Sequence, residues 1–343
     1  MASKAFTGRW FEDFALGQHL VHAVPRTLHG GDISMYFALT GDRHPLASST
    51  ELARSLGFMR EVLPDLLVFH IVFGQSVPDI SHNATANLGY ADVRFLRPVY
   101  PGDTLVAESE VIGLREVSSG AAGVVYVRTR GTNQKGQEVL SLVRWVLVPK
   151  RDASAAKGVN HVPQLPELVT IERVPVPEVM NLQRFGDLAW AMPPGDRWDT
   201  YAIGERIEHP DAMTIEEADH VQATRLYHNT AQVHFDRVAM EAAGSKFGKR
   251  LVYGGHVISV AMALSQNGLG TALKIAAWNS GSHVAPTFAG DTLRATTEVV
   301  DKAEVPGRAD TGALRLQLVA VKNGKDTVLE LDYWALFPRD GVH

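Results

Sequence analysis

The chain has 343 residues, of which 45% are hydrophobic and 21% are charged, and its formal net charge at pH 7 is −5. A chain of this length and composition is typical of a globular protein with two domains or two similar halves. The absence of cysteine excludes disulfides, zinc–thiolate sites and cysteine nucleophiles, and the acidic balance without a long basic run argues against a nucleic-acid partner.

Two segments of the sequence indicate whether the protein is secreted or inserted into a membrane: the N-terminal segment and the most apolar stretch. Residues 1–8 lack the apolar run of a signal peptide. Residues 66–74 form the most apolar stretch, which His70 interrupts and which is too short to cross a bilayer. We therefore expect a cytoplasmic protein that has no membrane partner.

The first half, residues 1–151, begins with a short strand-like segment and continues with three helical patterns and three strand-like runs. The strand-like runs are rich in β-branched and aromatic residues, which suit half-buried strands. The patterns predict helices at residues 27–40, 50–56 and 66–77 and strands at residues 104–114, 123–132 and 138–148.

Residues 152–195 differ from both flanking segments because they contain six prolines. Proline removes a backbone donor and disfavours helices and central strands, so this density predicts an extended linker over the surface. The apolar side chains of Val174, Val176 and Trp190 are the parts of the linker that we expect to pack.

The second half, residues 196–343, repeats the order of elements found in the first. Thr214 and Glu217 have the spacing of a capping box at the start of its first helix. Asn323 and Gly324 predict a hairpin turn between the last two strands. The patterns predict helices at residues 214–227, 237–243 and 255–267 and strands at residues 292–301, 312–321 and 327–337.

Short strings recur in the same order in the two halves. Matches that stay in order while their offset drifts slowly indicate a duplication with single-residue insertions. One central helix beside antiparallel strands is α+β layering, and we predict a tandem, or double, hotdog fold in which a sheet wraps around a central helix in each half. The matching strings are residues 11–17 and 198–204 at an offset of 187, residues 102–105 and 290–293 at an offset of 188, and residues 145–149 and 334–338 at an offset of 189.

Two of the differences between the halves in the duplicated loop after the first helix bear on catalysis. At the offset of 187, Asp42 corresponds to Asn229 and Ala47 corresponds to His234. A neutral imidazole can act as a base near pH 7 because its unperturbed pKa is about 6.5. His234 is therefore the first candidate for a catalytic group, with a packed, non-catalytic histidine as the alternative interpretation.

The start of the central helix also differs between the halves. The second half reads Tyr253-Gly-Gly-His256, whereas we place residues 67–70 of the first half, which contain no glycine, at the same position. Glycine lets the backbone approach a ligand closely, and the N–H groups of a helix N-terminus stabilise developing negative charge. We predict an oxyanion hole at Gly254 and Gly255, with an ordinary tight turn as the alternative.

The loop resembles that of the MaoC-like hydratases, a hotdog group with the motif Gly-Asp-x-Asn-Pro-Leu-His, whose Asp and His bind and activate water. The first half keeps residues 41–42 and 45–46 of this motif but has Ala47 in place of the His. The second half keeps His234 but has Asn229 in place of the Asp. The resemblance implies that His234 is the general acid and base, while Asn229, which cannot be a base, can orient the water or fix the tautomer of His234 through its amide.

Seven longer strings extend the resemblance over essentially the whole chain: residues 11–14, 66–74, 77–81, 86–90, 223–227, 253–256 and 288–292. They are similar to strings of the mesaconyl-CoA hydratases, also called 2-methylfumaryl-CoA hydratases or β-methylmalyl-CoA dehydratases. The resemblance implies a hydro-lyase that interconverts mesaconyl-CoA and β-methylmalyl-CoA in the ethylmalonyl-CoA pathway of glyoxylate assimilation. It further implies no metal or other cofactor, because CoA is part of the substrate, and a homodimer of the duplicated chain.

Other residues are weaker candidates for the site. Asp42 is a catalytic alternative, although a turn or helix-cap carboxylate explains it more simply. Lys246, Lys249 and Arg250 are candidates for the CoA phosphates, with a solvated helix end as the alternative. Arg225 and His228 are polar side chains near the loop that suit a distal carboxylate of the substrate. The full set of possible substrate contacts is Tyr253, His256, Arg225, Tyr227, His228, Asn279, Gly281 and His283.

Two other functions stay open. A hotdog acyl-CoA thioesterase would use a carboxylate to activate water against the thioester carbon, and Asn229 is not a carboxylate. A non-catalytic acyl-CoA-binding protein would need neither His234 nor the adjacent pair of glycines. Release of free CoA from mesaconyl-CoA would favour the first alternative, and the absence of turnover on any enoyl-CoA would favour the second.

Overall fold

The two halves of the chain contribute to one continuous antiparallel sheet, which has twelve strands in the part of the chain that is described. The structure, a computed structural model, describes residues 4–154, 160–192, 196–242, 245 and 247–340. The Pro193-to-Gly195 end of the predicted linker lies outside these residues. Within the described ranges, no helix combines the length and the apolarity that a membrane crossing requires.

The first half contains four α-helices and six strands among its described residues. The helix predicted at residues 27–40 begins only at Gly30, because Thr27 belongs to a short strand. The other predicted elements agree with the structure to within about three residues at each end. The helices are α1 (Gly30–Thr40), α2 (Pro45–Ser48), α3 (Thr50–Ser55) and α4 (Asp65–Ile80), and the strands are β1 (His19–Val21), β2 (Arg26–Thr27), β3 (Ala86–Phe95), β4 (Thr104–Glu116), β5 (Ala122–Thr132) and β6 (Glu138–Pro149).

The second half repeats this order after a short helix in the linker. The elements are α5 (Phe185–Leu188) in the linker, then β7 (Arg206–Glu208), β8 (Met213–Thr214), α6 (Glu217–Leu226), α7 (Arg237–Glu241), α8 (Gly254–Leu269), β9 (Lys274–His283), β10 (Thr292–Glu304), β11 (Thr311–Lys322) and β12 (Asp326–Pro338). The hairpin prediction is confirmed, since Asn323 and Gly324 both adopt positive φ in the turn between β11 and β12.

The capping box predicted from Thr214 and Glu217 is wrong. Thr214 lies in β8, which pairs with β10, and its hydroxyl lies 2.8 Å from the hydroxyl of Thr292. Helix α6 begins at Glu217 after Glu216, whose side chain makes no capping hydrogen bond. The strand pairing therefore takes the backbone of Thr214 away from the helix that its sequence spacing suggests.

The sheet joins the two halves through β3 and β9, which pair at its centre. The strand order is β1-β4-β5-β6-β3-β9-β12-β11-β10-β7, with β2 beside β4 and β8 beside β10. In the central pair, Tyr90 lies opposite Gly281 and Val93 lies opposite Trp278. This pairing makes a pseudo-dimer of the two halves within one chain, and it covers a sheet edge that each half would otherwise expose.

One long helix in each half is buried on almost every side. Helix α4 packs against β4, β5 and β6, and α8 packs against β10 and β11. A helix that is buried on almost all sides is typical of the centre of a fold, and here strands of the one sheet contact both helices. The helices also meet across the two halves, where His70 Nε2 lies 2.7 Å from Ser259 Oγ.

Much of the described linker packs against the body of the protein, but Trp190 is 85% exposed, so the expectation that it packs is wrong. Val169, Val174 and Phe185 are buried in a cluster with residues of α3 and β12. Trp334 donates its indole N–H to the carbonyl of Val169, and Asn279 accepts from the amide of Val169. Apolar anchors and these two hydrogen bonds therefore fix a segment whose prolines keep it out of regular structure.

Candidate active site

A cavity of about 360 Å³ lies between the catalytic loop predicted in the second half and the central helix of the first half. Helices α4 and α8 and strands β3, β6 and β9 line it together with the loop. The second half contributes Asn229, His234, Tyr253, Gly254 and His283 to its wall, and the first half contributes Phe73, Val77, Ser81, Asn87, Tyr90 and Arg144.

His234 lies in a short 3-10 turn and is buried, with 7% of its surface exposed. Its Nδ1 lies 2.8 Å from the carbonyl oxygen of Leu251. Because a carbonyl only accepts, Nδ1 carries the proton and donates, and the lone pair is left on Nε2. Burial lowers the pKa of His234 to about 4. The side chain is therefore a neutral imidazole at pH 7, and Nε2 is the atom that is free to accept a proton.

Asn229 is buried beside His234 in the cavity wall. Its Oδ1 accepts a hydrogen bond of 2.9 Å from the amide of Ala231. This bond fixes the orientation of the side-chain amide, so that the Nδ2 group is left to act as a donor. Asn229 can therefore hold the oxygen of a water molecule or of a hydroxyl group, and it cannot remove a proton from either.

The first turn of α8 begins at Gly254, directly after Tyr253. The first N–H groups of a helix have no intrahelical acceptor, and no side chain caps this helix. Within the described chain, the N–H groups of Gly254 and Gly255 form no hydrogen bond with the backbone. Together with the positive end of the helix dipole, they form a site for developing negative charge.

The structure gives a different reason for the two glycines than close approach to a ligand. A Cβ at Gly254 would overlap the ring of His283, and a Cβ at Gly255 would overlap the ring of Tyr253. His283 lines the cavity, 3.5 Å from the hydroxyl of Tyr90, and burial lowers its pKa to about 4. The glycines therefore make room for the two aromatic side chains that cover the start of α8.

Three predicted site residues are buried near the cavity but do not line it. Tyr227 packs between His70 and Tyr253, and its ring centroid lies 4.2 Å from that of His70. His256 points into the core from α8, and burial lowers its pKa to about 3. Gly281 lies opposite Tyr90 in the sheet, where a larger residue would press on that tyrosine.

Other predicted contacts lie away from the cavity. Arg225 is exposed, with its guanidinium 6.0 Å from the ring of Phe235. His228 pairs with Arg26. Asn279 is buried, and its amide donates to Asp332 as well as accepting from the linker. None of the three side chains lines this cavity: Arg225 is exposed at the end of α6, His228 is half-buried against Arg26, and Asn279 anchors the linker.

The basic residues proposed for the CoA phosphates follow α7. Lys249 lies with its ammonium 4.2 Å from the centroid of the Phe288 ring. Arg250 pairs with Glu217 and donates to the carbonyl of Phe235. Lys246 lies outside the described residues. The two described side chains therefore already have protein partners.

Asp42 lies in a second, much smaller cavity of about 50 Å³ at the pseudo-symmetric position. Its carboxylate accepts from the amide of His44 at 2.9 Å and from Gln266. Burial is the largest influence on Asp42 and raises its pKa. The structure thus places Asp42 as a turn carboxylate in the half that lacks the histidine, in a cavity that His234 does not line.

The start of α4 shows why this smaller cavity does not form an oxyanion hole. Helix α4 begins at Asp65 after Pro64, as α8 begins at Gly254 after Tyr253, so Asp65 is the counterpart of Gly254 at an offset of 189. The placement of residues 67–70 at this position is therefore wrong by three residues. The Asp65 carboxylate pairs with Lys274 and occupies the helix N-terminus with a negative charge of its own.

The sequence interpretation did not identify the contribution of the first half to the larger cavity. Arg144 and Tyr90 lie on β6 and β3, and both are fully buried. The available signal was Arg144 itself, the one charged residue in the run of residues 139–148, in which Ser141 is the one other polar residue. Charged residues are almost never fully buried without a partner, so a cation in such a strand indicates a function or an ion pair.

The sequence and the fold are both similar to those of known proteins. The family model of mesaconyl-CoA hydratase matches residues 2–336. The chain is 52% identical to a mesaconyl-CoA hydratase of Cereibacter sphaeroides, over 98% of this chain and 100% of that protein. It is 50% identical to a β-methylmalyl-CoA dehydratase of Chloroflexus aurantiacus, over 99% of this chain and 100% of that protein.

Two solved structures agree with these relatives. A MaoC domain protein dehydratase from Chloroflexus aurantiacus has a TM-score of 0.92 at 49% identity, covering 99% of this chain and 100% of that chain. A Mycobacterium tuberculosis protein described as a double hotdog fold has a TM-score of 0.76 at 25% identity, covering 97% of this chain and 98% of that chain. The predicted double hotdog fold is confirmed. Because the family model and both relatives match nearly the whole chain, this chain belongs to the mesaconyl-CoA hydratase family.

Proposed function

We propose that the chain is a hydro-lyase that catalyses the reversible hydration of mesaconyl-CoA to β-methylmalyl-CoA. The observation that carries the proposal is the neutral His234, whose Nε2 is free in the same cavity as the uncapped N-terminus of α8. One group can move a proton, and the other can stabilise an oxyanion. Hydration of an unsaturated thioester needs both.

In the hydration direction, His234 Nε2 removes a proton from water while Asn229 Nδ2 holds the water oxygen. The hydroxide adds to the β-carbon, and the electron pair of the double bond moves toward the thioester oxygen. The N–H groups of Gly254 and Gly255 hold the resulting enolate oxygen. The imidazolium of His234 then returns the proton to the α-carbon, so that the elements of water are added and no redox partner is required.

The lining of the cavity favours a hydratase over a thioesterase. No aspartate or glutamate is present among the described residues that line it. A carboxylate that activates water against the thioester carbon is therefore missing from its wall. His234 serves a hydration mechanism without a carboxylate, since a single imidazole can remove and return the same proton.

A direct assay tests this function. The purified chain is incubated with mesaconyl-CoA and, separately, with crotonyl-CoA. The loss of enoyl-thioester absorbance measures hydration, and a thiol reagent in a parallel reaction measures free CoA. We expect absorbance to fall to an equilibrium value on mesaconyl-CoA, with no release of free CoA. Stoichiometric release of CoA would establish a thioesterase, and unchanged absorbance on both substrates would establish a binding protein.

We expect kcat/KM for mesaconyl-CoA to stay level as the pH falls from about 7 and to decline only near pH 4. The neutral form of His234 is the active base, and burial lowers its pKa to about 4, so activity is lost only as the pH falls through that value. Initial rates at constant ionic strength check this. A decline centred near pH 6.5, the ordinary histidine pKa, would show that a solvated group is the base.

Acid stability is the control for that profile. The pKa values of His234, His256 and His283 are all lowered by burial, to about 4, 3 and 4 respectively. Their contribution to stability is complete above the unfolded pKa near 6.5 and is lost as the pH falls toward the folded values. Circular dichroism at each pH therefore separates loss of the base from loss of the fold.

The setting of the enzyme is also part of the proposal. We place it in the cytoplasm, in glyoxylate assimilation, acting without a metal or other cofactor. We expect a homodimer, for which β1 and β7, the outermost strands of the sheet among the described residues, supply the edges. Sedimentation equilibrium measures this directly, and a monomer at micromolar concentration would contradict it.

A further inference from the structure

Arg144 lies on β6 in the wall of the larger cavity and is fully buried. Its Nη2 donates to Ser76 Oγ at 2.7 Å, and its Nη1 donates to Ser81 Oγ at 3.2 Å. The guanidinium carbon lies 4.1 Å from the centroid of the Phe73 ring. The two serines and the ring hold the guanidinium in one plane and one position.

The contacts of Arg144 are all neutral. Among the described residues, no aspartate or glutamate forms an ion pair with it, and its Nε has no hydrogen-bond partner. One N–H on each Nη also has no acceptor among the residues that the structure describes. Burial lowers its pKa to about 10, so the group is still a cation at neutral pH. A buried charge without a counter-ion is unfavourable, and its retention in a cavity indicates that a ligand supplies the missing anion.

The cavity around Arg144 has no other fixed charge among its described lining residues. His234 and His283 are neutral at pH 7, since burial lowers the pKa of each to about 4. The side-chain amide of Asn87 lies in the same wall without a hydrogen-bond partner on either its nitrogen or its oxygen. An acidic ligand group entering this end of the cavity therefore meets a cation and an unused amide, and no negative charge.

The duplicated half provides an internal comparison. At the offset of 189 that relates α4 to α8, Arg144 corresponds to Tyr333, which lines the small cavity of about 50 Å³. Phe73 corresponds in the same way to Met262, and Val77 to Gln266. Of these two cavities, the one that contains His234 has an arginine among its described lining residues and the other has neither arginine nor lysine, so the cation accompanies the catalytic group and is not a requirement of the strand.

We infer that Arg144 is the specificity residue that binds the free carboxylate of a dicarboxylic enoyl-CoA through a two-point contact of its guanidinium. The inference rests on the proposed function, because mesaconyl-CoA bears a carboxylate on the β-carbon that water attacks. A planar guanidinium matches a carboxylate with two parallel hydrogen bonds, which fix orientation as well as position. Ser76 and Ser81 are the positioning residues that hold the guanidinium in the cavity wall.

The kinetic test compares Arg144→Gln with the wild type on two substrates. We expect kcat/KM for mesaconyl-CoA to fall roughly 10- to 100-fold, the effect of losing hydrogen bonds to a charged group, while kcat/KM for crotonyl-CoA, which lacks the carboxylate, changes less than threefold. The matched control is Arg130→Gln, which removes an exposed arginine from the neighbouring strand β5. An equal loss on both substrates would show a structural role and overturn the inference.

A binding test does not depend on turnover. Succinyl-CoA and butyryl-CoA share a saturated four-carbon acyl chain and differ in the terminal carboxylate, and calorimetry gives the Kd of each. We expect the wild type to prefer succinyl-CoA, Arg144→Lys to keep part of that preference, and Arg144→Gln to lose it. A wild type that does not prefer succinyl-CoA would overturn the two-point contact. An Arg144→Lys variant that keeps the full preference would also overturn it, and this result does not depend on whether Arg144→Gln folds.

The two tests separate the inference from the proposed function. A wild type that prefers succinyl-CoA but does not hydrate mesaconyl-CoA would keep the carboxylate site and reject the hydratase. A wild type that hydrates mesaconyl-CoA without any preference for the carboxylate would keep the hydratase and reject the role of Arg144. Thermal melting monitors the fold, and we expect Arg144→Gln to melt no lower than the wild type, because it removes an uncompensated buried charge.

Discussion

Replacing His234 with alanine is expected to lower kcat for mesaconyl-CoA by about 10²–10⁴, the range for loss of a general acid–base group. His234 lines the larger cavity, its Nδ1 donates to Leu251 and leaves the lone pair on Nε2, and burial lowers its pKa to about 4, so it is neutral. The alanine variant should stay folded, because it removes a side chain from a cavity wall and breaks one hydrogen bond to Leu251. The absorbance assay and circular dichroism measure the two effects.

Two control variants make this result specific to one cavity. Asp42→Asn removes one of the titratable groups that line the smaller cavity, and we expect it to keep kcat within a fewfold of the wild type. His19→Ala removes an exposed histidine from β1 and should have no effect. If His234→Ala kept wild-type activity while Asp42→Asn lost it, the catalytic centre would lie in the first-half loop.

Replacing Gly74 with alanine is expected to lower kcat about 100-fold, although this residue belongs to the half without the catalytic loop. Gly74 lies on α4, and a Cβ there would overlap the carbonyl of Tyr227 and crowd the amide of Asn229. The backbone of the loop must then move by a distance of order 1 Å, and such a misplacement costs about 10² in rate. Overpacking at this contact should also destabilise the fold by about 1–3 kcal/mol.

The matched control is Gly31→Ala. Gly31 lies in the first turn of α1 with no heavy atom near the position that a Cβ would take. Alanine is the better helix former by about 1 kcal/mol, so this variant should keep full activity and melt at the same or a higher temperature. If Gly74→Ala retained kcat within threefold of the wild type, seating of the loop on α4 would not be needed for catalysis.

The sequence by itself determined the duplication, the order of the elements and the difference between the two loops. The offsets near 187 to 189, the apolar central helices and the strand-like runs are local patterns, and each is visible without knowledge of what packs against what. For the same reason, the sequence alone shows that the second half has His234 at the position where the first half has Ala47. Predictions from local residue spacing are wrong where strand pairing competes with helix capping, as at Thr214, which pairs with β10 in a strand.

The tertiary structure alone decided how the site is assembled. His234 and Arg144 lie on different halves, and the pairing of β3 with β9 brings those halves together around one cavity. Nothing in the periodicity of β6 shows that its one arginine lacks a counter-ion, because the absence of an anion is a property of the surroundings in space. Likewise, the glycine at position 74 has a role only because the loop of the other half lies against it. Local sequence patterns determine the helices and strands that line the cavity, and long-range packing determines which of these elements face each other.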